Sequence, residues 1–207
     1  MSTKRLVVGI SGATGASYAI RLLEVLQTVP DIETHLVISS AAGQTIAQET
    51  DYTLKDVERL ATVTYRLHEI GAAISSGSFK TMGMIVVPCS MKTLSGIAQS
   101  FSDNLILRAA DVALKDRRRL VLVTRETPLH LGHLRLMVQV TEMGGMITPP
   151  MPAFYHRPQT LDDIINQTVN RLLDLFDIEL EQDLFTRWQG MTHSLGNERP
   201  KRRPGKR

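Results

Sequence analysis

Four short stretches of this chain put glycine, hydroxyl or charged residues directly after an apolar run. They are Ser11-Gly12-Ala13-Thr14-Gly15, Ser39-Ser40, Pro88-Cys89-Ser90-Met91-Lys92-Thr93 and Thr124-Arg125-Glu126-Thr127-Pro128. In the first, Gly9, Gly12 and Gly15 let the chain turn tightly, so that backbone amides at a helix start can approach a phosphate or a flat ring. The spacing is neither the dinucleotide fingerprint nor a P-loop, which would end in Lys-Ser or Lys-Thr. Close packing of helix on sheet would call for the same glycines. Ser39 and Ser40 stand where a nicotinamide-dinucleotide enzyme carries the acid for its adenosine ribose. Hydroxyls there favour the phosphate of a mononucleotide, and they serve equally well to cap the next helix. Ser90, Met91, Lys92 and Thr93 offer hydroxyls, amides and an ammonium group as a second cradle. Ser90 lacks the GxSxG context of a hydrolase nucleophile, and Cys89 reads as a small packed residue.

Charged groups add a second kind of chemistry. Arg125 and Glu126 suit a phosphate-binding cation beside an acid, although a solvated pair accounts for them as well. Arg108, Asp111 and Lys115 share one helical face, where an ion-pair ladder is the simpler account. Tyr155, His156 and Arg157 follow a proline-rich stretch that can present an aromatic face or a hydroxyl. His130, His133 and His156 have neither an HExxH arrangement nor an adjacent carboxylate pair, and no metal is expected.

The elements that position these groups follow from the hydrophobic pattern. Apolar runs recur at Leu6–Ile10, Thr34–Ile38, Met84–Val87, Leu120–Val123 and Gly145–Thr148. Between them lie amphipathic segments at Ala16–Gln27, Ser40–Glu49, Thr53–Leu60, Ser95–Ser100, Leu105–Arg118, Leu131–Glu142 and Leu161–Phe176, the last with Thr160 as its cap. Near-continuous strands alternating with helices predict an α/β fold, a doubly wound parallel sheet in a single domain. Such sheets bind ligands beyond the carboxyl ends of their strands, where the four stretches fall. The domain is expected over residues 1–190, followed by a basic, disordered tail over 191–207.

Composition narrows the classes. The 207 residues suffice for one core without disulfides, and the single cysteine excludes a disulfide framework. A reducing cytoplasm is expected, with no signal peptide and no apolar stretch of membrane-spanning length. The net charge of +3 is misleading, because residues 192–207 hold six Lys/Arg against one Glu and leave the body slightly acidic. Without interleaved aromatics or a recognition helix, that tail does not predict nucleic-acid binding.

Taken in order, the motifs resemble the UbiX-like flavin prenyltransferases, long labelled aromatic-acid decarboxylases of the Pad type. The resemblance rests on Gly9 to Ala16, Glu49-Thr50-Asp51, Pro88 to Leu94, Arg108 to Lys115, Arg125 to Pro128 and Phe154 to Pro158. It implies a flavodoxin-like Rossmann subunit, assembled as a dodecamer, that binds reduced FMN and dimethylallyl phosphate at subunit interfaces without a metal ion. It further implies that the prenyl group joins flavin N5 and C6 and that a UbiD-type decarboxylase receives the prenylated FMN. By the same resemblance, the flavin site comprises Gly12, Ala13, Thr14, Ser39, Ser90, Met91, Lys92, Thr93 and Arg125. The prenyl phosphate meets Lys115, Arg125, Glu126, Tyr155 and Arg171. Glu49 lies near the reacting flavin and Trp188 near the site, with Glu126, Glu49, Lys115 and Thr14 as the catalytic set. Thr14 stands where many relatives have serine, which keeps the hydroxyl and adds a methyl group. Cations suit a departing phosphate, and Glu126 suits a general acid toward it. Two other readings stay open: a flavin-dependent decarboxylase acting directly on aromatic acids, and a non-catalytic FMN-binding protein.

Overall fold

The computed structural model describes residues 3–191; the basic tail expected over 191–207 lies outside them except for its first residue. Among the described residues, six strands form one parallel sheet: β1 (Lys4–Ile10), β2 (Ile32–Ile38), β3 (Val63–Tyr65), β4 (Gly83–Cys89), β5 (Arg119–Thr124) and β6 (Met146–Ile147). Their spatial order is β3-β2-β1-β4-β5-β6, all neighbours being parallel. The chain winds outward from β1 on one side, then returns to β4 and winds outward on the other. The β1/β4 boundary is therefore the topological switch point. Without the three-residue edge strand β3, the remaining five have the flavodoxin-type order.

Period-two alternation supplies a core on each face. Leu6, Val8, Ile10, Ile85, Val87, Val121 and Val123 pack beneath helices α1 (Ala16–Gln27), α2 (Ser40–Glu49), α3 (Leu54–Arg59) and α7 (Leu161–Asp174). Val7, Val37, Met84, Val86, Leu120 and Leu122 face α4 (Met91–Ala98), α5 (Leu105–Lys115) and α6 (Leu131–Glu142). The register of β4 on β5 shifts between Val86 and Cys89, which sends Cys89 to the same face as Val86. Cys89 is wholly buried, and burial pushes its thiol far above the usual range.

The structure corrects several expected boundaries. Helix α4 starts at Met91, not Ser95, because Ser90 caps it and accepts from the Thr93 amide at 3.3 Å. Helix α5 ends at Lys115, short of Arg118, since Arg117 takes a left-handed conformation (φ 56°) that a helix does not continue through. Helix α7 stops at Asp174 before the expected Phe176. Its expected cap, Thr160, forms a capping box with Asp163. Strand β3 went unpredicted. No helix of the described residues is long and apolar enough to cross a membrane.

Candidate functional site

The carboxyl ends of β1, β2 and β4 open into a cavity of about 900 Å³ lined by Gly12, Ser39–Ala41, Ser90, Lys92, Thr93, Ser95 and Gly96. Opposite them stand Leu67, His68, Phe101, Asn104, Ile106 and Leu107. One wall is thus hydroxyls and helix N-termini, and the other is largely apolar. Local geometry explains the polar wall. Ser39 caps α2, its side chain accepting from the Ala42 amide at 3.1 Å, and Ser90 caps α4 while donating to Thr93 Oγ1 at 3.1 Å. Two helix N-termini therefore point at one space, the arrangement that favours an anion. Gly12 is required by contact, since an added Cβ would overlap Ala41 at the start of α2. Gly15 sits at φ 109°, a conformation that side chains disfavour.

Ser11, which stands at a strand end but was assigned no role from the sequence, ties the two central strand ends together. Its buried hydroxyl donates to the Pro88 carbonyl at 2.9 Å and accepts from the Ser90 amide at 2.8 Å. The other unanticipated residues are the cavity's far wall, Leu67–His68 and Phe101–Leu107. They come from a loop and from α5, joined where the Leu105 amide donates to the Leu67 carbonyl at 2.8 Å. Of these, the sequence placed only Leu105 to Leu107, on the helix expected from Leu105.

Glu49 reaches back from the end of α2 to the start of α1. Its Oε2 accepts from the Gly15 and Ala16 amides at 2.8 and 2.9 Å. Burial works to raise its pKa, but the hydrogen bond from Thr14, those two amides and the charge of Arg125 together hold it below the usual glutamate value. Glu49 is therefore a carboxylate at neutral pH, grouped with Thr14 and Arg125. Arg125 is anchored by its amide on the Cys89 carbonyl at 3.1 Å. The exposed Glu126 accepts from the Thr127 amide at 2.9 Å. Gly12, Ala13, Thr14, Ser39, Ser90, Met91, Lys92, Thr93, Arg125, Glu126 and Glu49 thus share one edge of the sheet.

The remaining candidates lie elsewhere in the chain. Helix α5 begins at the cavity and runs 11 residues, about 16 Å, to Lys115 beside the start of β5. There the Lys115 ammonium pairs with Asp116 at 2.7 Å. The expected ladder forms only in its upper half, Arg108 to Asp111 at 2.6 Å. Arg171 also lies toward the amino edge: just beyond it, Asp177 pairs with Arg119 at the start of β5 at 2.6 Å. Tyr155 belongs to an exposed aromatic group, its ring 5.7 Å from Trp188 and 6.4 Å from Phe185. One chain therefore does not bring Lys115 and Arg171 to the cavity, which of the candidates is lined by Gly12, Ser39, Ser90, Lys92 and Thr93. The rings of His130 and His133 lie tilted at 33° with centroids 3.6 Å apart, and His130 accepts from the Gly132 amide as the cap of α6. Among the described residues no group of three or more His, Cys, Asp or Glu is placed to hold a metal ion.

The cavity fits a flavin mononucleotide: helix N-termini and hydroxyls for the phosphate, a glycine-lined floor, and an apolar wall for a ring. Comparison with known proteins agrees with that geometry. The Flavoprotein family model matches residues 1–172. The chain is 66% identical over 187 residues to the flavin prenyltransferase UbiX of Escherichia coli, covering 90% of this chain and 99% of that one. It is 61% identical to the UbiX of Thauera aromatica, covering 90% and 94%. Among solved structures, AnUbiX in complex with FMN and dimethylallyl pyrophosphate superposes with a TM-score of 0.87 at 51% identity, covering 91% and 99%. A dodecameric FMN-dependent Ubix-like decarboxylase from Escherichia coli gives 0.87 at 50% identity, covering 90% and 100%.

Proposed function

The chain belongs to the flavoprotein family, and from that membership we propose that it is a flavin prenyltransferase, joining a dimethylallyl group to N5 and C6 of reduced FMN. The observation that carries the proposal is the cavity at the switch point, lined by Gly12, Ser39, Ser90, Lys92 and Thr93, with Glu49, Thr14 and Arg125 grouped at the same edge of the sheet. Reduced FMN supplies the electron-rich acceptor atoms; this chain's residues bind, orient and manage charge. The N-termini of α2 and α4, with Ser39, Ser90 and Thr93, hold the flavin phosphate. Gly12, Ala13, Met91 and Lys92 border the flavin.

Breaking the allylic C–O bond separates a delocalised cation from a phosphate dianion. Arg125, Lys115 and Arg171 stabilise the dianion, which forms as Glu126 protonates the departing oxygen. Tyr155 and Trp188 present aromatic faces that suit the allyl fragment. Glu49, as a carboxylate beside Thr14, is placed to take up a proton on the flavin side.

Because Lys115 and Arg171 sit away from the cavity of their own chain, the complete site takes them from neighbouring subunits of a homo-oligomer. The dodecameric relative supports that assembly. The prenylated FMN passes to a UbiD-type decarboxylase. A cytoplasmic location is supported by the lone, buried cysteine.

The test is anaerobic incubation of the purified protein with reduced FMN and dimethylallyl phosphate, followed by the mass of the released flavin. One added five-carbon unit supports the reading; tight FMN binding with no mass change overturns it and turns attention to direct decarboxylation of aromatic acids. Glu126→Gln should keep FMN binding and slow transfer by about 10²–10⁴-fold. Unchanged single-turnover transfer would remove Glu126 from the acid role.

A further inference from the structure

After α7 the chain doubles back as a strap, and one ionic cluster fastens it. The Arg187 guanidinium donates to both oxygens of Asp174, from Nη2 at 2.8 Å and Nη1 at 2.9 Å. It also donates to both oxygens of Asp183, at 2.6 Å each. The Leu184 amide donates to Asn170 Oδ1 at 2.8 Å, closing the strap onto the same helix. The strap carries Phe185 and Trp188, the rings that pack edge-on against Tyr155.

Asp174 has a second guanidinium, because Arg171 reaches it with Nη1 at 2.7 Å. Two cations thus share one carboxylate whose side chain is only 20% exposed. Burial works to raise the pKa of Asp174, but the hydrogen bond from Arg187, ahead of that from Arg171, holds it below the ordinary aspartate value. Arg187 holds both oxygens of Asp174 while Arg171 reaches only one, which makes Arg187 the fuller partner. Without it, the full charge of Asp174 would fall on Arg171, one helical turn away, and compete with any phosphate for that guanidinium.

We propose that Arg187 is a positioning residue for prenyl transfer: by taking a bidentate share of the charge of Asp174, it loosens the hold of Asp174 on Arg171 and lets that guanidinium turn to the phosphate of the prenyl donor. The proposal rests on the assignment of Arg171 to that phosphate. It separates two jobs for the strap, holding the aromatic rings and releasing the charge of Arg171.

The experiment measures kcat, KM for dimethylallyl phosphate and FMN affinity on the intact oligomer, with Trp188 fluorescence reporting the strap. Arg187→Met should raise the donor KM about tenfold, the weight of one charge-assisted contact, and leave FMN affinity unchanged. Adding Asp174→Asn removes the competing charge without restoring the strap's ion pairs, and should return KM to within about threefold of the unsubstituted protein. Asp174→Asn alone should not raise KM. If the double variant stays as impaired as Arg187→Met, or if Asp174→Asn alone raises KM as much, the strap acts only mechanically and the proposal falls. Arg171→Met distinguishes the underlying assignment: no rise in donor KM there overturns the role of Arg171 itself. A rise in Arg171→Met without rescue in the double variant overturns only the inference about Arg187.

Discussion

Glu49 does from a distance what a capping residue normally does from the adjoining position. Helix α1 begins after Gly15, which has no side chain to offer, so the amides of Gly15 and Ala16 turn to a carboxylate more than thirty residues further along the chain. Glu49→Gln should therefore weaken folding by about 0.5–1 kcal/mol in urea titrations at neutral pH. The sign of the pH effect follows from the lowered pKa of Glu49. The folded protein binds its proton more weakly than the unfolded chain, so the contribution is complete above about 4.3 and fades as the pH falls through the folded-state value. The stability difference between the two proteins should close in that acidic window; a constant difference would show that the loss is one of packing. Residue roles of this local kind were partly legible. Ser39 stands directly after a strand and caps the helix that follows, so its place was given by chain order; Ser90 caps in the same way, but its helix was expected only from Ser95. Ser11 stands in the same kind of position, yet its partners, the Pro88 carbonyl and the Ser90 amide, are set by which strand lies beside β1. His35 shows the same limit: its ring meets Tyr65 at 2.8 Å only because β3 pairs with β2.

Helices α2 and α4 make the anion-binding wall, and their approach depends on small residues where they meet the strand ends. Gly12→Ala should push the start of α2 away from β1 and weaken FMN binding about tenfold or more, read by flavin fluorescence titration. Unchanged affinity would show that α2 yields without moving its amides. Long elements with strong periodicity, such as α1 and α6, matched their expected limits, because amphipathic spacing alone defines them. Helix α4 did not, since Met91 to Leu94 read equally well as a loop until Ser90 was seen as its cap. The three residues of β3 gave no pattern long enough to detect, and only pairing with β2 makes them a strand.

For the whole molecule, the decisive fact is that the candidate groups divide between two ends of the sheet. Helix α6 adds an outward stripe, with Leu131, Leu134 and Val138 at 59%, 45% and 55% exposure. Those positions, three and seven residues on from the first, share one face with no covering layer among the described residues. A site assembled from several copies makes a quantitative prediction. Lys115→Met and Glu126→Gln proteins, each slow alone, should regain on the order of a quarter of full activity when unfolded together and co-assembled in equal amounts, the statistical share of intact composite sites. No recovery would place both groups in one subunit's site.

The single cysteine has a consequence of another kind. A reduced flavin meeting oxygen generates peroxide, which attacks thiolates at exposed positions. Here the only thiol lies on β4 with no exposed surface, and burial keeps it protonated. The folded chain therefore offers an oxidant no sulfhydryl to convert to a sulfenic acid, and two assembled copies have no surface thiols with which to cross-link.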